Sequence, residues 1–242
     1  MARSRFTDFL APVLLLLVGA AVLCAQTSPP EERHVEVTAR LAPEPQGKPK
    51  KTEQHPPAVI WLNPVSSHAF PAAPPGKFTL TQKNKMFTPH LLVVPVGSVV
   101  GFPNADPFYH NVFSLFDGRR FDLGLYEAGS SRSVTFSREG VSYIFCNIHA
   151  EMSAVVIALA TPLYSEADAQ GVFHIRDVPD GDYDLHVWIE GQKQNELDRL
   201  KRRVHISAAS AFLGDIRPSH PEATQHLNKF GMPYEPDAHP IY

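Results

Sequence analysis

The feature that most constrains this chain is the rhythm of its apolar runs between residues 77 and 159. Each run is a handful of residues long, and each is cut by a turn signal before a helix could complete its turns. Residues 78–82 alternate. Residues 91–96 and 99–102 flank Gly97-Ser98, and residues 110–115 follow the Pro103-Asn104 region. Residues 133–136 and 141–146 flank Glu139-Gly140, and residues 153–159 are continuously apolar, as a buried strand is. Short strands at this spacing predict an all-β fold, a sandwich or barrel. The 23 prolines against 14 glycines fit such a loop-rich chain better than a helical bundle.

A second β pattern begins after Thr161-Pro162 breaks the run. Residues 172–175 read as a strand and Pro179-Asp180-Gly181 as a turn. Residues 182–189 then alternate, with Tyr183, Leu185, Val187 and Ile189 on one face and Asp182, Asp184 and His186 on the other. Residues 192–203 are polar and suit a short helix or a hairpin end. Upstream, residues 26–57 read as a tether with one strand-like patch at 35–41. Residues 58–62 are a short apolar strand, and residues 66–76 are a Pro/Ala linker. The expected division is therefore a leader at 1–25, an N-terminal extension at 26–75, a main β domain at 76–160, a second β module at 161–207 and an unplaced tail at 208–242.

Residues 1–25 carry Arg3 and Arg5 ahead of an apolar stretch from residue 9 to 23, with the small Ala25 at the expected cleavage point. This reads as an export signal, with a retained membrane anchor or a lipoprotein modified at Cys24 as the alternatives, so the chain is expected in the periplasm or otherwise exported, with no stable membrane span if the segment is removed. Cleavage takes away Arg3, Arg5 and Asp8, moving the net charge from −3 to −4. An acidic chain of this kind excludes a basic nucleic-acid binder. Cleavage also removes Cys24, one of only two cysteines, and leaves Cys146 as a single exported thiol without an internal disulfide partner.

Cys146 lies in Tyr143-Ile-Phe-Cys-Asn-Ile-His-Ala-Glu-Met152, a C-x2-H-x2-M arrangement between two β runs. His110 opens a strand 36 residues upstream. One thiolate (Cys146), two imidazoles (His110 and His149) and one thioether (Met152) form the ligand set of a blue-copper electron-transfer centre. The thiolate is a soft ligand, imidazole suits both oxidation states, and a long axial thioether tunes the potential. Zinc could use Cys146, His110 and His149 but leaves Met152 without a role. For a Cys–His nucleophilic pair the sequence shows no obvious orienting partner, and the spacing on one loop suits it poorly.

The segment from residue 77 to 159 resembles the cupredoxins, small copper electron carriers. Its short C-x2-H-x2-M spacing and its His-Asn-Val at 110–112 are most similar to those of amicyanin. The resemblance implies a cupredoxin-like Greek-key sandwich, one copper per chain held by His110, Cys146, His149 and Met152, and an Asn111 whose side chain ties the two ligand loops together. Residues 168–187 resemble carboxypeptidase-regulatory-like, transthyretin-type β modules. Those begin with a strand, a turn and a strand that residues 35–41, Gly47-Lys48-Pro49 and residues 58–62 could supply. The copper domain is then an insert that splits a second small sandwich.

The expected function is an exported carrier of single electrons between redox proteins, such as a dehydrogenase and a c-type cytochrome. It is not expected to be an enzyme: the chain has no His-x-His for a multicopper site and no second mature cysteine for a binuclear one. The alternatives are a periplasmic copper-handling or storage protein, or an interaction module with a structural metal. Other residues take plainer roles. His90 starts a strand. His174 and His186 are expected on the surface, and His205, His220, His226 and His239 are scattered. Asp106, Asp117 and Asp122 are expected in turns or on the surface, and Trp61 and Trp188 in the core. Phe145, Tyr109 and Phe113 are expected to pack around the metal and exclude water.

Overall fold

Among the described residues the fold is nearly all β, with one short helix. The computed structural model describes residues 33–42, 55–66, 73–115, 118–218 and 227–234. The expected leader with Cys24, the Gly47-Lys48-Pro49 turn, Asp117, His220, His226 and His239 lie outside the described residues. Among the described residues, no helix is long and apolar enough to cross a membrane.

In chain order the first strands are β1 (His34–Leu41), β2 (Ala58–Pro64), β3 (Lys77–Thr79), β4 (Thr81–Lys83), β5 (Met86–Thr88) and β6 (Leu91–Pro95). Then come β7 (Val99–Pro103), β8 (His110–Ser114), β9 (Phe121–Tyr126), β10 (Ser131–Thr135), β11 (Gly140–Phe145) and β12 (Ser153–Leu159). β13 (Tyr164–Glu166), β14 (Val172–Pro179) and β15 (Gly181–Ile189) precede the helix α1 (Gln194–Leu200), and β16 (Arg202–Ile206) and β17 (Phe212–Ile216) follow it. The alternating stretch at 78–82 divides into β3 and β4, and β5, β9, β13, β16 and β17 add to the strands expected from the sequence.

A five-stranded sheet in the order β6-β12-β11-β8-β9 carries the central chemistry. Its β12 is buried along almost its whole length, on both faces. Because side chains alternate across a strand, Ala154, Val156 and Ala158 point one way and Val155, Ile157 and Leu159 the other. The first set joins a core with Leu80, Val100, Phe102, Val112, Phe136, Ile144, Cys146 and Met152. The sheet β10-β7-β3 closes that core through Val100, Phe102 and Val134. The second set, with Val93 of β6, joins a core built on β1, β2, β14 and β15.

The N-terminal strands are completed by partners from the other end of the chain. β1 pairs antiparallel with β14 and parallel with β17, and β2 lies between β13 and β15. All five apolar residues of β2 are buried, so this strand is covered on both faces. Cross-strand register puts Val59 and Trp61 on the same side as Trp188 and His186. Trp188 Nε1 donates to the Tyr143 hydroxyl of β11 at 3.1 Å, joining β15 to the five-stranded sheet. His186 is not a plain surface residue: it stacks on Trp61 with ring centroids 5.1 Å apart. His90, at the mouth of β6, bonds Glu190 through Nε2 and the Ser153 carbonyl through Nδ1.

Two expectations follow from this packing. Residues 77–161 excised from the chain should fail to fold cooperatively, since Val93, Val155, Ile157 and Leu159 would then face water. Each fully buried aliphatic side chain contributes about 1.5–3 kcal/mol, and a whole domain holds only ~5–15 kcal/mol. Backbone NMR dispersion of the segment beside that of the full chain decides it, and a well-dispersed, cooperatively melting segment would show that the shared core is dispensable. The second concerns pH. The Glu190 hydrogen bond, working against burial, raises the His90 pKa above its ordinary value. A raised folded-state pKa means that the pair's stabilisation is fully present below the unfolded value of about 6.5 and is lost as pH rises through the folded value. Both partners are more than one-third exposed, so the effect is under about 1 kcal/mol. Denaturant unfolding of wild type and His90→Gln should show a stability gap at pH 6 that closes in mildly alkaline buffer.

Candidate metal centre

The β11–β12 hairpin positions three of the four expected ligands. Its last ladder pair is Phe145 with Ser153. Beyond it the loop is closed by its own backbone: Cys146 N–H donates to the Met152 carbonyl and Met152 N–H to the His149 carbonyl, both at 3.1 Å. His110 arrives from the first position of β8, which lies beside β11 in the same sheet. The result is a cluster in which ligand atoms of His110, Cys146 and His149 all lie within 4.8 Å of one another. Cys146 Sγ is 3.7 Å from His110 Nδ1 and 3.5 Å from His149 Nδ1. The two imidazoles meet edge to face with centroids 4.9 Å apart. Met152 is fully buried in the core that also holds Cys146.

Burial controls the protonation of this cluster. It pulls His149 down to about 4, helped by the positive charge that His110 and Lys85 place beside it. It also lowers His110, against Asp106, which raises it. It pushes the Cys146 thiol up, while the backbone N–H groups of Asn111, Ile148 and His149 favour the thiolate. At neutral pH both rings are thus neutral, with lone pairs free for a cation, and the sulfur's negative charge has amide donors prepared for it. A soft or borderline metal ion suits this donor set.

Asp106, expected in a turn or on the surface, lies in a turn and is buried beside the cluster. Its Oδ2 accepts from His110 Nε2 at 2.8 Å. That bond fixes the tautomer with the proton on Nε2 and leaves Nδ1 facing the sulfur. Asn104 builds the turn that aims Asp106. Its Oδ1 accepts the Asp106 N–H, and its Nδ2 donates to the Phe108 carbonyl. The tip of the β4–β5 hairpin completes the cradle. Asn84 and Lys85 both have φ near +56° and present their N–H groups to Asp106 at 2.6 and 2.9 Å. Burial alone would raise the Asp106 carboxyl, but these donors and His110 outweigh it and hold it below its ordinary value.

The neighbours of the cluster differ from expectation in two places. Tyr109 is 42% exposed, and it is Phe108 that lies against both rings, 5.2 Å from His110 and 5.7 Å from His149. Phe145 and Phe113 pack on each other, 5.9 Å apart. The Asn111 side chain does not reach across to the Cys146 loop: its Nδ2 donates to Asp122 of β9 at 2.7 Å, and only its backbone N–H serves the sulfur. Asp122 lies close to the cluster through that bond. His90 is held by Glu190 and takes no part, and His174 and His205 pair with Glu36 and Asp182 on the surface.

No family model matches the chain, and no curated protein matches it. Solved structures do. A copper-containing nitrite reductase from Thermus scotoductus SA-01 is 25% identical over 40% of this chain, with a TM-score of 0.33; the chain spans 25% of that protein's length. A purple cupredoxin from Nitrosopumilus maritimus is 23% identical over 35% of this chain and 99% of its own, with a TM-score of 0.31. A singly substituted amicyanin in its reduced state is 20% identical over 40% of this chain and 91% of its own, with a TM-score of 0.32.

Replacing Asp106 with Asn tests the cradle. The amide keeps the volume but gives up the charge that polarises His110. Metal affinity should fall about 10–100-fold, read by competition with a chelator of known strength. An unchanged affinity would mean that the ring is oriented by packing alone.

Proposed function

We propose that the protein binds one copper ion through His110, Cys146 and His149, with Met152 as a weaker fourth donor, and carries single electrons between redox proteins. One observation carries the proposal: two imidazoles turn their Nδ1 atoms to one buried thiol, within 3.7 Å, and the far nitrogen of one ring is bonded to a buried carboxylate. When bound, copper supplies a one-electron couple. The protein's own residues do the rest. Asp106 keeps His110 in its metal-binding tautomer. The amides of Asn111, Ile148 and His149 stabilise the sulfur's charge, and Phe108 and the core around Met152 keep water from the donors. Rigid closure of the 146–152 loop limits how far the donors shift when charge changes, which favours fast exchange.

The same proposal makes the protein a carrier and not an enzyme, exported to the periplasm or beyond. Its partners are redox proteins of the dehydrogenase or c-type cytochrome kind. Residues 76–160 are then the copper-binding part. Residues 161–207, with strands from 26–75, form a carboxypeptidase-regulatory-like module whose role is contact; the pairing of β1 and β2 with β13, β14 and β15 supports that division, and β17, which also pairs with β1, carries the module past residue 207 into the stretch expected to be tail. Storage or handling of copper is the second reading, favoured by the same soft donor set.

Visible absorption separates them. With Cu(II), a carrier site of this ligand set gives an intense blue to green colour from sulfur-to-copper charge transfer, and a storage site does not. Cys146→Ser should abolish the band and most of the affinity, since a hydroxyl stays protonated at neutral pH. Met152→Leu should keep the colour and raise the reduction potential, and Met152→Gln should lower it. Identical potentials in all three proteins would remove Met152 from the ligand set, and a colourless wild type would leave storage as the better reading.

A further inference from the structure

The tail that the sequence left unplaced returns to the metal centre. Residues 228–232 form a self-braced turn. Asn228 N–H donates to the Met232 carbonyl, and Gly231 N–H to that of Asn228. The Asn228 side-chain oxygen accepts the N–H groups of Phe230 and Met232 at 2.9 and 3.1 Å. Gly231 sits at φ +75°, a conformation that costs a glycine little. From this turn three bonds reach the ligand-bearing segments. Lys229 N–H donates to Asn147 Oδ1 at 3.0 Å, and its Nζ donates to Asp122 Oδ2 at 2.9 Å. The Tyr234 hydroxyl donates to the Cys146 carbonyl at 2.7 Å.

These bonds join into a continuous path. Asn111, next to His110, holds Asp122 by one oxygen, and Lys229 holds Asp122 by the other. Lys229 also holds Asn147, next to Cys146. The two segments that carry the candidate ligands are thereby linked through the tail. We infer that residues 228–234 are a strap that positions the ligand loop, with Lys229 relaying the tie from Asn111 through Asp122 to Asn147, and Tyr234 fixing Cys146 by its carbonyl. Lys229 is three-quarters buried at its side chain, so its ion pair is partly shielded from water. The strap fixes loop backbone before any ligand arrives, and so removes ordering cost from metal binding.

As a role toward the metal this inference rests on the copper reading above, but the hold on the loop is measurable without copper. The experiment uses the full chain with Asn147→Ala, which removes the acceptor of the Lys229 N–H, Tyr234→Phe and the double substitution, and with Lys229→Met for the tie to Asp122, Lys229→Arg being its conservative rescue. Hydrogen exchange is followed in metal-free protein. Each lost hydrogen bond should speed exchange of the 148–152 amides about fivefold. The double variant should exceed either single one, β1 and β2 should be unchanged, and Lys229→Arg should stay near wild type. In the Cu(II)-loaded protein the same variants should shift the visible band and lose copper to a chelator several-fold faster. Loop exchange at the wild-type rate in every variant overturns the strap, and so does acceleration spread evenly over the molecule. Faster loop exchange in a protein whose wild type shows no intense visible band keeps the strap and overturns the electron-carrier reading.

Discussion

The antiparallel ladder of β11 and β12 is the constraint on which the site depends. Phe145 facing Ser153 leaves a loop of fixed span, and that loop contains Cys146, His149 and Met152. The donors therefore inherit their spacing from backbone hydrogen bonds, before any ligand is considered. His110 needs a second element, and β8 supplies it as the neighbour of β11 in the same sheet. Burial then does the chemistry of preparation. It keeps both imidazoles neutral and the thiol protonated until something offsets the cost of charging the sulfur.

Much of this was legible in the chain itself. The run at 153–159 announces a strand buried on both faces, and the spacing of Cys146, His149 and Met152 announces a ligand loop because so few residues cannot separate them far. The alternation of Tyr183, Leu185, Val187 and Ile189 marks their common buried face. What was not legible lay in long-range geometry. Asp106 looks like any turn aspartate, and only the β4–β5 tip, folded back upon it, shows that its carboxylate is buried and bonded. Its position four residues before His110 was the one available hint. Tyr109 and Phe108 are adjacent aromatics, and nothing local says which one the rings of His110 and His149 will meet. The Gly124 interruption disguised β9, and with it the position of Asp122.

Asn111 illustrates how a role can be kept while its route changes. A side chain expected to span two loops here spans only to Asp122, and the remaining distance is covered by residues from the far end of the sequence. The tail is low in apolar periodicity, so no pattern betrays a docked segment. Its hold comes from a few polar bonds at well-defined atoms, information that composition does not carry.

The pairing of β1 bears on how the molecule is made. This strand is synthesised early, yet both its neighbours, β14 and β17, lie beyond residue 171. For most of translation it has an open edge on each side and no sheet to join. Such non-local closure slows folding and leaves strand edges exposed while the chain waits. The first of the described strands in the chain is thus among the last to be completed, and until the residues beyond 171 arrive β1 is open to pairing with a neighbouring copy.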